Sequence, residues 1–181
     1  MLAMFTGMRR GEMLGLEWQD VDMEKKELRI VRNSIYTKNT GIQTTTPKTK
    51  KSMRKITIPT IIVELLQEHK LKQSYQQAMA GSDWVDTKRI FTQWNGMPMH
   101  PDTMSEKCKK FLNQLGLEGY HLHCLRHTHA SLLIADGADI QTVSSRLGHE
   151  QTSTTLNMYV HCYAAKDREM SDAMERMVFG G

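Results

Sequence analysis

The segment ELRIVRNSIYTKNTGIQTTTPKTKKSMRKITIP, residues 27–59, decides the fold class. Its β-branched residues Ile30, Val31, Ile35, Ile42, Thr44 to Thr46, Ile56 and Ile58, interrupted by Asn-Thr-Gly at 39–41, predict two or three antiparallel strands. From Lys48 to Lys55 the run Lys-Thr-Lys-Lys-Ser-Met-Arg-Lys places five positive charges in eight residues with no acid among them, in the last connection of those strands. By itself that run reads equally well as a solvated hairpin edge kept from aggregating by its lysines.

On both sides of this segment the pattern is helical. Downstream, Pro59-Thr60 opens a helix whose Ile61, Ile62, Leu65 and Leu66 make an apolar stripe, continuing with a bend through Leu71, Tyr75 and Met79 to Gly81. A short extended piece follows at 89–92, then helices at about 102–115, 123–136, 139–147, 152–160 and 164–178, with Gly137 and Gly148 as punctuation. Upstream, apolar Leu2, Met4 and Phe5 precede a Thr6-Gly7 break, and Met13, Leu14 and Leu16 fit a short helix from Arg10 that ends near Trp18. The expected architecture is α+β: mostly helical, with a small antiparallel sheet of two or three strands carrying the basic turn to one side. Because the chain opens on apolar residues without a cap, it is expected to be the later part of a longer protein.

Composition narrows the function classes. A chain of 181 residues, 39% hydrophobic and 24% charged, has room for one domain with its own core, and two would be crowded. No stretch approaches 18 apolar residues in a row, and the start carries neither a basic region nor a cleavage site, so a cytoplasmic protein with no membrane partner is expected. Three cysteines, Cys108, Cys124 and Cys162, without C-x-x-C spacing predict free thiols and neither a disulfide framework nor a thiolate metal site. A formal net charge of +4 is compatible with a polyanionic partner but does not single one out.

Four separated pieces carry the chemistry: Thr6-Gly-Met-Arg-Arg-Gly-Glu12, the basic turn opening Pro47-Lys48, His123-Cys-Leu-Arg-His127, and Leu147-Gly-His149 with Tyr159 ten residues on. His123, Arg126 and His127 stand at i, i+3 and i+4, so one helix face can present all three to a single anion. The competing reading is zinc, since His121, His123, His127 and His129 crowd the same stretch. It is disfavoured: Cys124 replaces the glutamate that follows the first histidine in a zinc hydrolase, and Arg126 would repel a dication.

Taken together, Thr-Gly-x-Arg-x-x-Glu, His-x-x-Arg-His and Leu-Gly-His followed by Tyr-Val-His resemble the catalytic domain of the tyrosine recombinase, or phage-integrase, family, in that family's order and with spacing like integrases of Gram-positive mobile elements and phages. The resemblance covers nearly the whole chain, and it implies DNA-binding domains upstream that are absent here. It implies that Tyr159 attacks a DNA phosphodiester to give a 3′-phosphotyrosine and a 5′-hydroxyl, integrating or excising a mobile element. A phenol with a reference pKa of about 10 is a poor nucleophile at neutral pH. By the same resemblance Arg9 and Arg126 compensate charge at phosphorus, Lys48 protonates the departing 5′-oxygen, His123 takes or relays the tyrosyl proton and His149 hydrogen-bonds the phosphate, both roles asking for an imidazole near its ordinary pKa of about 6.5. Glu12, one turn after Arg9, would orient it or balance its charge. Arg10, Lys38, Lys50, Lys51, Arg54 and Lys55 are candidates for contacts with the DNA backbone. No cofactor and no metal are implied.

The implied partners are double-stranded DNA, three further copies of the chain in a tetramer on that DNA, and accessory proteins that set direction, all in a bacterial cytoplasm with the nucleoid. Met170, Ala173, Met174, Met177 and Val178 give the last helix a continuous apolar stripe, which packs either on the chain's own core or, as the resemblance implies, on a neighbouring copy by exchange. Two rival functions remain in view: a type IB topoisomerase with the same tyrosine chemistry, disfavoured by the integrase-like spacing, and a non-catalytic DNA-binding module with the same fold, disfavoured because every expected catalytic position is filled.

Overall fold

A computed structural model of the chain describes residues 1–46, 52–149, 151–153 and 155. Lys48, Lys50, Lys51, Tyr159, Cys162 and the helix expected at 164–178 lie outside the described residues. Among the described residues six α-helices and five short strands follow one another: α1 (Leu2–Thr6), α2 (Arg10–Gly15), β1 (Val21–Asp22), β2 (Glu27–Ile30), β3 (Asn33–Thr37), β4 (Gly41–Thr45), β5 (Arg54–Thr57), α3 (Thr60–Ala80), α4 (Pro101–Gln114), α5 (Leu122–Ala135) and α6 (Ile140–Leu147). The architecture is α+β, as expected.

The strands form two sheets. One is three-stranded and antiparallel in the order β1-β2-β5, with Leu28 facing Ile56 and Ile30 facing Arg54. The other is the β3–β4 hairpin, whose register pairs Tyr36 with Ile42 and Thr37 with Gly41 around the Asn-Thr break. Strand alternation decides which side is buried: Leu28, Ile30, Ile56 and Ile58 all turn into the main core. The sequence reading expects one sheet of two or three strands in 27–59; that segment holds four strands shared between two sheets, and β1, at two residues, is too short to show a period.

Helix boundaries follow local chemistry. Pro101 stands at the first position of α4, and the ring nitrogen Nδ1 of His100 accepts from the Asp102 N–H at 3.2 Å. Asp139 caps α6 by accepting from the N–H groups of Gln141 and Thr142, each at 2.8 Å, and Gly148 ends it in the left-handed conformation. The long helix α3 runs 21 residues as one continuous element, and the face it buries departs from the expected stripe. Its buried face is Ile62, Val63, Leu66 and Gln73, while Ile61, Leu65, Leu71, Tyr75 and Met79 face solvent. Gln73 explains part of the change, because its amide is needed inside: Nε2 donates to the Arg89 and Ile90 carbonyls and to Thr92 Oγ1, and Oε1 accepts from Trp18 Nε1.

Two apolar clusters result. The larger joins α1, α2, the three-stranded sheet and α3, and the smaller packs Ala130 and Ile134 of α5 on Val143 and Leu147 of α6. At Gly7, left-handed at φ 62°, an added Cβ would stand 2.6 Å from Leu147 and 2.7 Å from His129, so α1 closes directly on α5 and α6. This closure brings the Thr-Gly-x-Arg and Leu-Gly-His segments together. No helix among the described residues is long and apolar enough to cross a membrane.

Candidate active site

Arg9 occupies the cap position just before α2. Its backbone N–H donates to Glu12 Oε2 at 2.8 Å, which is the return half of a capping box, and its Nη1 donates to Glu12 Oε1 at 3.0 Å. Its Nη2 reaches the Gly148 carbonyl at 3.2 Å. The side chain is 42% exposed, so the guanidinium is tethered on one side and open on the other. Burial alone would push the Glu12 carboxyl up, but hydrogen bonds and charge from Arg54, followed by those from Arg9, hold it below the ordinary carboxylate range.

Arg126, in the first half of α5, is 1% exposed. Nη1 donates to the Gly7 carbonyl and Nη2 to the Leu147 carbonyl, the latter at 2.8 Å, so one guanidinium binds the turn before Arg9 to the turn before His149. The sequence reading puts this fork on phosphate oxygens; in the structure it holds two protein carbonyls. Its charge nevertheless reaches the site, since it helps to lower the pKa of His123, His127 and His149.

His149 follows α6 and is buried, with Nδ1 2.7 Å from Thr155 Oγ1. Burial, then the positive charges of Arg126, Arg9 and Arg54, pull its pKa down to about 4, with Glu12 opposing. The expectation of an imidazole near 6.5 is therefore corrected to one that is neutral throughout the physiological range. His123 lies at the exposed start of α5, its ring edge-on to His127 at 4.6 Å between centroids. Its pKa is also lowered, by partial burial first and then by His127, Arg126, His121 and Arg9. His123 shares a cleft of about 260 Å³ with Arg9, Arg10, Ser105 and His121.

The structure thus gathers Arg9, Glu12, Arg126, His149 and, at the cleft, His123. Arg10 is at the cleft rim, donating to Ser105 Oγ at 2.9 Å and to Asp102 at 3.5 Å. Lys38 is exposed at the tip of the β3–β4 hairpin, and Lys55, also exposed, stands 3.6 Å from Glu27. Arg54 departs from its expected place at the DNA surface: its side chain is 7% exposed and bound to Glu12. The period-two rule carried the signal, because Arg54 shares its strand face with buried Ile56 and Ile58.

Two further residues escaped the motif reading. His129 sits behind the site with Nδ1–H donating to the Met4 carbonyl at 2.9 Å and Nε2 accepting from Arg146 Nε at 3.3 Å, an arrangement that fixes a neutral tautomer. Burial, then the Arg146 charge, brings its pKa to about 4. Arg146 in turn donates to the carbonyls of Phe5 and Thr57. Among the described residues no three His, Cys, Asp or Glu side chains are grouped to hold a metal ion.

Known proteins resemble this chain in sequence and in fold. The "Tyrosine recombinase XerC-like" protein of Caldanaerobacter subterraneus is 38% identical over 176 residues, covering 89% of this chain and 44% of that protein. The ICEBs1 integrase of Bacillus subtilis is 34% identical over 177 residues, covering 98% of this chain and 48% of that protein. The chain therefore spans about half the length of the curated relatives it matches. In fold it is similar to the Tn1549 transposon integrase solved in complex with transposon right end DNA, with a TM-score of 0.78 at 20% identity over 94% of this chain and 56% of that one. XerA recombinase superposes with a TM-score of 0.70 at 21% identity over 96% of this chain and 55% of that one. The family model described as the phage integrase family matches residues 1–166, a span that includes every motif segment described above, and the chain belongs to that family.

Proposed function

We propose that this chain is the catalytic part of a site-specific DNA recombinase that cuts and rejoins duplex DNA through a covalent bond to Tyr159. The observation that carries the reading is the convergence of Arg9, Arg126 and His149 from three distant segments, with His123 on the adjoining cleft. Such a cluster has a net positive charge, a half-exposed guanidinium and neutral imidazoles, which suits a phosphodiester whose charge grows in the transition state. In the proposed step the Tyr159 oxygen attacks phosphorus, the bond to the 5′-oxygen breaks, Lys48 supplies the proton to that oxygen, and the tyrosyl proton passes to His123. A neutral His123, which its lowered pKa favours, is ready to accept it. The ester energy is kept in the phosphotyrosine, so a second 5′-hydroxyl can reverse the step with no nucleotide.

Duplex DNA is the proposed partner, supported by the DNA-bound Tn1549 and XerH neighbours and by relatives named as integrases of ICEBs1 and of Staphylococcus phage L54a. Tetramer assembly on DNA with exchange of the C-terminal helix, accessory directionality proteins and a place beside the bacterial nucleoid belong to the same proposal. The test is a nicked duplex carrying the cognate core site, which traps the covalent intermediate because the released strand diffuses away. The full chain is expected to give a denaturant-resistant protein–DNA adduct, and Tyr159→Phe none. An adduct that survives this substitution would remove Tyr159 as nucleophile, and supercoil relaxation without strand exchange would favour a topoisomerase.

A further inference from the structure

We infer that Arg54 is a positioning residue of this site, holding the Glu12 carboxylate from behind so that Arg9 keeps its place and its charge for the phosphate, and that Arg54 itself makes no contact with DNA. The inference rests on the recombinase reading above and deepens it. Three side chains stand in a row. Arg54 Nη1 donates to Glu12 Oε1 at 3.0 Å and Nη2 to Oε2 at 2.9 Å, a bidentate pair. The same two oxygens take the Arg9 Nη1 at 3.0 Å and the Arg9 backbone N–H at 2.8 Å. Arg9 is the open end of the row: its side chain is 42% exposed, whereas those of Glu12 and Arg54 are 4% and 7%.

Charge explains why the row needs its inner member. A buried carboxylate with one cation would neutralise it and draw it inward, and here that cation would be Arg9. With Arg54 present the triad is net positive, and the surplus charge sits on its exposed end. Arg54 is fixed independently, since Nε donates to the Arg146 carbonyl at 2.6 Å and Nη1 to the Ser52 carbonyl at 3.1 Å. The end of α6 is shaped around it: a Cβ on Gly148 would lie 2.6 Å from Arg54 Nη1. The carbonyl of that glycine is the one that receives Arg9 Nη2, so Arg54 supports both tethers of Arg9.

The test compares Arg54→Met, Arg54→Lys and the double variant Glu12→Gln with Arg54→Met, in the full chain. DNA affinity is read by fluorescence anisotropy against salt, and chemistry by the single-turnover rate of adduct formation at saturating DNA. Arg54→Met is expected to slow adduct formation about 100-fold, the scale of a misplaced catalytic group. Affinity should stay within about twofold and the salt slope should not change. Removing the stranded carboxylate in the double variant is expected to recover about tenfold of the lost rate. Should Arg54→Met fail to fold, Arg54→Lys carries the test: it keeps the charge, loses the fork, and should be slowed with unchanged affinity.

Weakened binding with a salt slope smaller by about one, and an unchanged rate at saturation, would make Arg54 a backbone contact and overturn the inference. So would a double variant as slow as Arg54→Met, or a fully active Arg54→Lys. If the unaltered chain forms no Tyr159-dependent adduct, the functional reading fails, and Arg54 is judged by the 13C-detected titration of Glu12. Arg54→Met must then raise the Glu12 midpoint, and an unmoved midpoint overturns the inference.

Discussion

Replacing Gly148 by alanine asks one methyl group to enter a crowded point of the site. Gly148 has φ 67° and ψ 43°, a left-handed conformation that costs an L-residue about 1–2 kcal/mol. The new Cβ would also meet Arg54 Nη1 at 2.6 Å and Cζ at 3.0 Å. That guanidinium cannot simply swing aside, because Glu12 holds both its terminal nitrogens and the Arg146 carbonyl holds its Nε. Overpacking of this kind costs about 1–3 kcal/mol, so the two effects together destabilise the fold by about 3 kcal/mol. Gly116 provides the reference: its φ is 74°, and a Cβ there meets nothing within 4 Å, which leaves the backbone cost alone. For a domain of this size each kcal/mol lowers the melting temperature by about 2–4 °C, so Gly148→Ala should lose about 6–12 °C and Gly116→Ala, with the backbone cost alone, about 2–8 °C. Differential scanning calorimetry on the two variants measures the difference. Equal losses would show that Arg54 yields without cost, and the argument for a rigid Arg54–Glu12 pair would fall with it.

Acid should weaken the fold through His129 and His149. Both have a folded pKa of about 4 against about 6.5 unfolded, so between these values the unfolded chain binds more protons. Their stabilisation is complete above pH 6.5 and is lost as pH falls towards 4, amounting to about 2 kcal/mol for each histidine at pH 5. Urea melts at pH 7.5 and 5 test this, and a stability that stays flat would contradict the burial assigned to both rings. At the cleft rim, Arg10→Ala should change stability by less than about 0.5 kcal/mol, because its pairing with Asp102 is solvent-exposed. If Arg10 meets a DNA phosphate, the same variant lowers the slope of log affinity against log salt by about one, and an unaltered slope removes it from the DNA surface.

Much of this molecule could be read before its structure, and the parts that could not have physical causes. Starts expected at residues 60, 102, 123 and 139 fall within one residue of α3 through α6, and at α3, α4 and α6 Pro59, Pro101 and Asp139 act locally on the backbone. The outward face of α3 was not legible: Leu71, Tyr75 and Met79 look like core, and only the demand of the Arg89 and Ile90 carbonyls for the Gln73 amide shows which side turns inward. For the site, spacing within α5 was enough to put His123 and Arg126 near each other. The burial of Arg54 was missed for the opposite reason. Its neighbours in the chain are lysines, and composition hides a single inward residue in a basic run that strand alternation would have revealed. Of the three arginine charges that act on His149, those of Arg9 and Arg54 come from more than 90 residues away, beyond the reach of any local pattern.

The two carbonyls that Arg126 holds belong to Gly7 and Leu147, 119 residues before it and 21 after it. Closing the longer of those loops carries an entropic cost that local helix formation does not repay, so such contacts form late in folding. During synthesis Arg9 emerges first, yet the turn beside it is not clamped until α5 has been made and docked, and the second carbonyl arrives with the end of α6. A ribosome paused anywhere before residue 147 therefore carries a chain with the arginine motif but without the assembled cluster. The Arg9–Arg126–His149 cluster is complete only once the Gly7 and Leu147 carbonyls both meet the Arg126 guanidinium.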